Sequence, residues 1–147
     1  MHHDDRIIEQ AITILEDRVF KAGPVLNSTT AVRDYLRLKL MPEPNELVVA
    51  FFLNSQYRVL SYQTLFTGTV NSAAVYPRVV VQRALALNAS ALILAHQHPS
   101  GETSPSSADI SHTKRLKTAL ETVDVRVLDH LIVGKGEPFS FAASGLL

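Results

Sequence analysis

Two histidines one residue apart, His96 and His98, close the apolar run L-I-L-A, and a Pro99-Ser100-Gly101 turn leads from them towards Ser106 and Asp109. Positions i and i+2 of an extended chain project to the same side, so the two imidazoles are presented together while Gln97 faces away. Imidazole nitrogen suits zinc, and two donors held in this way can share one ion at about 2.0–2.1 Å. A catalytic zinc site takes a third protein ligand and leaves a position to water, and Asp109, early in the helix expected after the turn, is the nearest carboxylate able to serve. The alternative use of such a histidine pair is structural, as polar groups hydrogen-bonded to backbone at a strand end. Asp109 has an alternative too. Ser106-Ser107-Ala108-Asp109 fits the S-x-x-D capping pattern, whereas Pro105 favours the first helical position, which makes Ser104 the cap and sets Asp109 a turn inside. On helix grounds capping and ligation stand equally open.

The elements that must position these groups follow from periodicity. Ile7, Ile8, Ala11, Ile12, Leu15 and Val19 recur at helical spacing behind Asp4 and Asp5 and predict a helix over 5–20. Ser28 caps a second helix whose Val32, Tyr35, Leu36 and Leu40 share a face, ended by Pro42 and Pro44. From Glu46 the run E-L-V-V-A-F-F-L is too continuously apolar for a half-exposed hairpin and predicts a central strand. Residues 54–58 read as a turn, and 59–69 as a further strand or pair of short strands ending near Gly68. Tyr76-Pro77 opens a helix with Val80, Ala84 and Leu87 on one side and Asn88 at its end. Residues 90–95 return to the buried strand type, a helix spans 105–122, V-R-V-L-D-H-L-I-V-G is a strand stopped by Gly134 and Gly136, and a short strand near 139–142 finishes the sheet. The expected fold is a single α/β domain, a central mixed sheet with helices on both faces. Loops leaving strand ends are where such domains place their chemistry.

Composition narrows the chemistry. A chain of 147 residues with 46% apolar and 19% charged residues is a folded domain of common size, with no room for a second catalytic domain. Fourteen basic and fourteen acidic side chains cancel, so net charge offers no footprint for nucleic acid or an anionic membrane. Lys114, Arg115 and Lys117 read as a solvated helix face. The absence of cysteine excludes disulfides and thiolate-bound zinc, leaving nitrogen and oxygen ligands. The start M-H-H-D-D-R lacks the order of a secretory signal and no apolar run approaches a membrane span, so a cytoplasmic location is expected. His2 and His3 belong to an end expected to fray.

Several H-x-H families fail on the residues beyond the pair. Metallo-β-lactamase-type sites continue H-x-H-x-D-H, the barrel amidohydrolases need a longer chain, and zinc deaminases need a C-x-x-C that a cysteine-free chain cannot supply. Glu102, four residues after His98, fits the cupin spacing, but a capped helix comes next instead of jelly-roll hairpins. Written out, His96-Gln97-His98, seven residues, Ser106, two residues and Asp109 is H-x-H-x(7)-S-x-x-D. This resembles the JAMM signature of the JAB/MPN-type zinc metallopeptidases. The stretches L-F-T-G-T-V-N-S-A-A-V-Y-P-R, A-H-Q-H-P-S-G and L-D-H-L-I-V-G look like the RadC-like branch of that superfamily, over roughly 45–147.

The resemblance implies a JAB/MPN-like fold, similar to the layered cytidine-deaminase-like architecture, over residues 45–147, behind a helical lead-in over 1–44. It implies Zn²⁺ held by His96, His98 and Asp109, a bound water as nucleophile, an upstream glutamate as general base, and Ser106 helping to hold the oxyanion. Glu46, opening the first central strand, is the choice for that glutamate, with Glu43 and then Glu102 as competitors. The implied substrate is a peptide or protein, cleaved at a peptide or isopeptide amide, and no other cofactor is called for. A non-catalytic MPN-like module binding a protein or DNA partner, in a DNA-repair or mobile-element setting, is the alternative, and a zinc phosphodiesterase is a third. Asp129 and His130 recur in the RadC-like pattern without an assigned role and read as satisfied polar groups on a late strand. Longer RadC-like proteins carry a helix-hairpin-helix region ahead of the hydrolase domain, and no G-h-G hairpin of that kind stands among residues 1–44.

Overall fold

The computed structural model describes residues 2–21, 23–68 and 76–147. Thr69, the expected end of the second strand, and residues 69–75 of the L-F-T-G-T-V-N-S-A-A-V-Y-P-R stretch lie outside the described residues. The chain folds as a single α/β domain in which a mixed five-stranded sheet is flanked by four helices, consistent with a JAB-like fold. In chain order the elements are α1 (His3–Phe20), a 3₁₀ turn (Val25–Ser28), α2 (Thr29–Leu40), β1 (Leu47–Leu53), β2 (Val59–Thr67), α3 (Pro77–Ala86), β3 (Ala91–Gln97), α4 (Ser107–Thr122), β4 (Arg126–Val133) and β5 (Phe139–Ser140).

The sheet order is β2-β1-β3-β4-β5, with β3 and β4 parallel and the other pairs antiparallel. β1 and β3 are almost continuously apolar and buried, as strands covered on both faces are, and β4 is buried over its second half. Along β1, Val49, Phe51 and Leu53 meet the α1–α2 layer, which supplies Leu15, Val19, Tyr35 and Leu36. Val48, Ala50 and Phe52 meet the opposite layer, with Val80 and Ala84 of α3 and Leu116 and Leu120 of α4. Phe51 and Phe52 are fully buried on opposite faces, each burial stabilising the fold by about 1.5–3 kcal/mol. The same alternation runs along β3. Ile93 and Ala95 face α1 and α2, while Leu92 and Leu94 face α3 and α4, so the even-numbered His96 points into the α3–α4 side of the sheet.

Several boundaries depart from expectation: β3 runs on to Gln97, β5 stops at Ser140, and Ser28 stands at the N-cap of α2 without a side-chain capping bond. α1 begins at His3, ahead of Asp5, so the first histidines of the chain stand at a helix start. The largest difference is at α4. Pro105 does not take the first helical position. Ser106 is the N-cap in extended conformation and Ser107 the first helical residue, with both bonds of a capping box present. Two reciprocal side-chain bonds to orphan backbone donors outweigh the preference of proline for that position, which concerns only a donor it lacks.

Candidate metal centre

Three elements bring the candidate groups together. The antiparallel register of β1 on β3 pairs Val48 with His96. Glu46 immediately precedes β1 and His98 immediately follows β3, and their side chains approach with Oε1 4.0 Å from Nε2. The first turn of α4 then lays Asp109 across the end of β3. The Nε2 atoms of His96 and His98 are 3.1 Å apart. Asp109 Oδ2 stands 3.0 Å from His98 Nε2, and Asp109 Oδ1 stands 3.4 Å from His96 Nε2. Two bonds of 2.0–2.1 Å at a tetrahedral angle place their donor atoms about 3.3 Å apart, so these separations are those of ligands around one small ion. His96, His98 and Asp109 form a group that could hold a metal ion.

The donor set fits a cation for a second reason. The Nδ1 of His98 lies 2.8 Å from the carbonyl oxygen of Glu102, and a carbonyl only accepts. His98 therefore carries its proton on Nδ1 and, when neutral, turns a bare Nε2 towards a carboxylate and another imidazole. Lone pairs facing lone pairs at 3 Å are relieved by a shared cation or proton. Burial pushes the Asp109 carboxyl up, but the neighbouring His96 imidazole, the Ser106 backbone N–H and His98 outweigh this and hold it well below the usual carboxylate range. The group is thus an anion at neutral pH in a buried position, which suits a metal ligand.

Capping and ligation are not exclusive at Asp109, because one carboxylate caps the helix and faces the histidines at once. Its Oδ2 accepts the backbone N–H of Ser106 at 2.9 Å while facing His98. Ser106 Oγ in turn accepts the N–H of Asp109 at 3.0 Å. That leaves the single hydroxyl proton of Ser106 for another acceptor. The helix cap therefore fixes the rotamer of the candidate ligand.

Glu46 is half-buried, with Oε1 4.0 Å from His98 Nε2. Its backbone is held from both sides by Gln97, whose Oε1 accepts the N–H of Leu47 at 2.8 Å and whose Nε2 donates to the carbonyl of Asn45 at 2.6 Å. Gln97 does face away from the histidines, as the alternation requires, yet it positions the glutamate. Of the competitors, Glu43 is exposed and follows the end of α2, and Glu102 is exposed and contributes its backbone carbonyl to His98.

Sequence reasoning missed Thr113 and His130 as part of this centre. His130 lies on β4 opposite Leu94, and its Nε2 is 2.7 Å from His96 Nδ1. Its Nδ1 is 2.7 Å from Thr113 Oγ1, and Thr113 Oγ1 donates to the Asp109 carbonyl at 2.7 Å. Phe141 stacks on the His130 ring at 4.7 Å. Burial lowers the pKa of His130 well below the ordinary value, and the charges of His96 and His98 lower it further, only partly opposed by Asp109. The D-H pair in L-D-H-L-I-V-G was the available signal. Asp129 is spent on structure, since its carboxylate accepts from the His130 N–H, the Ser140 hydroxyl and the Ala142 N–H.

The turn bearing His98 is pinned to the end of β4 by bonds from His98 N to Val133 O at 3.3 Å and from Lys135 N to Gly101 O at 2.8 Å. A Cβ on Gly134 would collide with the Gly101 carbonyl and sit 2.9 Å from Thr103 Cγ2. Gly134→Ala is therefore expected to push the turn off the strand and destabilise the fold by about 1–3 kcal/mol, as overpacking does. Urea denaturation of the purified variant checks it, and an unchanged midpoint contradicts it.

A family model described as "RadC-like JAB domain" matches residues 26–146. A UPF0758 protein of Azotobacter vinelandii is 54% identical over 141 residues, covering 96% of this chain and 62% of that protein. UPF0758 protein YfjY of Escherichia coli K12 is 47% identical over 142 residues, 97% of this chain and 89% of its own length. UPF0758 protein YkfG of the same organism is 48% identical over 144 residues, 98% of this chain and 91% of its length. The chain thus spans 62% of the length of the Azotobacter relative. Among the described residues no helix is long and apolar enough to cross a membrane.

Proposed function

The chain belongs to the RadC-like JAB domain family, within a superfamily that includes metallohydrolases, and from that premise we propose that it is a zinc-dependent hydrolase of JAMM type that cleaves a peptide or isopeptide amide bond. The observation that carries the reading is the convergence of His96 Nε2, His98 Nε2 and the Asp109 carboxylate at ligand spacing, with Glu46 Oε1 4.0 Å from His98 Nε2. Two imidazoles and one carboxylate would hold the ion, which supplies Lewis acidity and lowers the pKa of a coordinated water to about 7.

The chain's own groups do the rest. Glu46 is not among the three ligands but stands beside them, and its role is to take a proton from the attacking water and pass it to the departing amine nitrogen. Gln97 holds the backbone on either side of Glu46, which limits how far the carboxylate can stray from the histidines. Ser106 accepts at Oγ from the Asp109 N–H, so its hydroxyl proton is aimed by the cap and can meet the developing oxyanion. In this reading residues 45–147 carry the hydrolase, and residues 1–44 are a helical lead-in closing the sheet face opposite the centre. The substrate is a peptide or protein, acted on in the cytoplasm.

The test uses the purified chain with peptide and isopeptide-linked substrates. Hydrolysis should vanish on chelation and return with about one equivalent of zinc. Zinc-independent hydrolysis, or stoichiometric zinc with no amide cleavage in a broad isopeptide panel, goes against the reading, the second outcome favouring a non-catalytic binding module.

A further inference from the structure

Two side chains that the proposed chemistry does not use, Thr113 and His130, are buried against each other and against two of the candidate ligands. Starting from the Asp109 carbonyl, the contacts run through Thr113 Oγ1 and both ring nitrogens of His130 to His96 Nδ1, each at 2.7 Å. We infer that Thr113 and His130 are positioning residues that lock His96 in the tautomer with its proton on Nδ1 and its Nε2 bare towards the metal position. The inference rests on the zinc reading for its purpose, but its geometry is independent of it.

The direction of the chain follows from counting protons. A carbonyl oxygen never donates, and two oxygens 2.7 Å apart need a proton between them, so the only hydroxyl proton of Thr113 lies on the line to Asp109 O. Thr113 Oγ1 can then only accept from His130, which fixes the His130 proton on Nδ1. A neutral His130 so protonated has a bare Nε2, which must accept from His96, and this fixes the His96 proton on Nδ1. What remains at His96 is a lone pair on Nε2, 3.1 Å from the Nε2 of His98.

Burial makes the lock one-way. His96, Asp109, Thr113 and His130 are 0%, 1%, 1% and 5% exposed, so no solvent molecule competes for these protons, and each bond polarises the next. Phe141, stacked at 15° to the His130 ring, holds the ring plane. The two imidazoles are thus prepared by different means. His98 uses a backbone carbonyl in an exposed turn, whereas His96 uses side chains from α4 and β4. Because the chain begins at Asp109 and ends at His96, it also ties the two ligands that come from different elements.

The test combines a spectroscopic signature with a rescue. Long-range ¹H–¹⁵N spectra of the zinc-free protein at alkaline pH should show His96 protonated on Nδ1. In Thr113→Val, which keeps the shape and removes the hydroxyl, that signature should give way to a tautomer mixture, and zinc affinity by chelator competition should fall about 10–100-fold. Thr113→Ser should restore both. A wild-type His96 protonated on Nε2, wild-type zinc affinity in folded Thr113→Val, or no rescue by serine overturns the inference. If circular dichroism shows Thr113→Val unfolded, the wild-type tautomer alone decides. A wild-type chain that binds no zinc defeats the hydrolase reading and leaves the tautomer still measurable.

Discussion

Glu46→Gln is expected to keep one zinc per chain and to lose about 10²–10⁴-fold in amide hydrolysis, the range assigned to a positioned general base. Glutamine has nearly the same shape, so the Gln97 bonds to Asn45 and Leu47, which involve backbone on either side, stay in place. The three ligand groups are untouched. What disappears is a carboxylate able to take a proton 4.0 Å from His98 Nε2. Metal analysis and turnover measured on one preparation separate the two effects. A variant that hydrolyses a validated substrate at the wild-type rate removes Glu46 from the role and returns the question to Glu43 and Glu102.

His96→Ala is expected to abolish stoichiometric zinc. The loss should exceed the 10–100-fold that outer partners of a ligand are worth, because one of three donors goes and the remaining pair comes from a turn and a helix start. His96 is fully buried, so the change also leaves a polar cavity lined by His130, and the melting temperature must be followed alongside. Asp109→Asn supplies the cleaner comparison. An asparagine oxygen can still accept the Ser106 N–H and keep the helix capped, while the anionic donor is gone. Retained stoichiometric zinc in both folded variants would place the ion elsewhere.

The layered fold was legible because β1 and most of β3 are unbroken apolar runs and the helices repeat at 3.6 residues. The His96 and His98 pair was legible for a related reason, since alternation along a strand needs no knowledge of its neighbours. Asp109 was half legible. S-x-x-D signals a cap, and the motif spacing signals a ligand, but treating these as rivals overlooked that a carboxylate has two oxygens and can satisfy a backbone N–H while facing an imidazole. The Pro105 rule misplaced the helix start because a local preference was weighed without the reciprocal bonds that oppose it. Thr113 and His130 were out of reach for a different reason. Their meeting depends on the β3–β4 register, which sets His130 opposite Leu94, and on the seating of α4 over that pair, and a parallel crossover carries no local signal for either. Gln97 was hidden likewise, since Leu47 and Asn45, which it clamps, lie 50 and 52 residues earlier in the chain.

The most direct measurement is a zinc-edge anomalous difference map of crystals of the zinc-loaded chain. One peak is expected within about 2.0–2.2 Å of His96 Nε2, His98 Nε2 and an Asp109 carboxylate oxygen, with Glu46 outside the coordination sphere. A peak bound by other residues, or no peak at stoichiometric zinc, would contradict the assignment of these three groups to one metal centre.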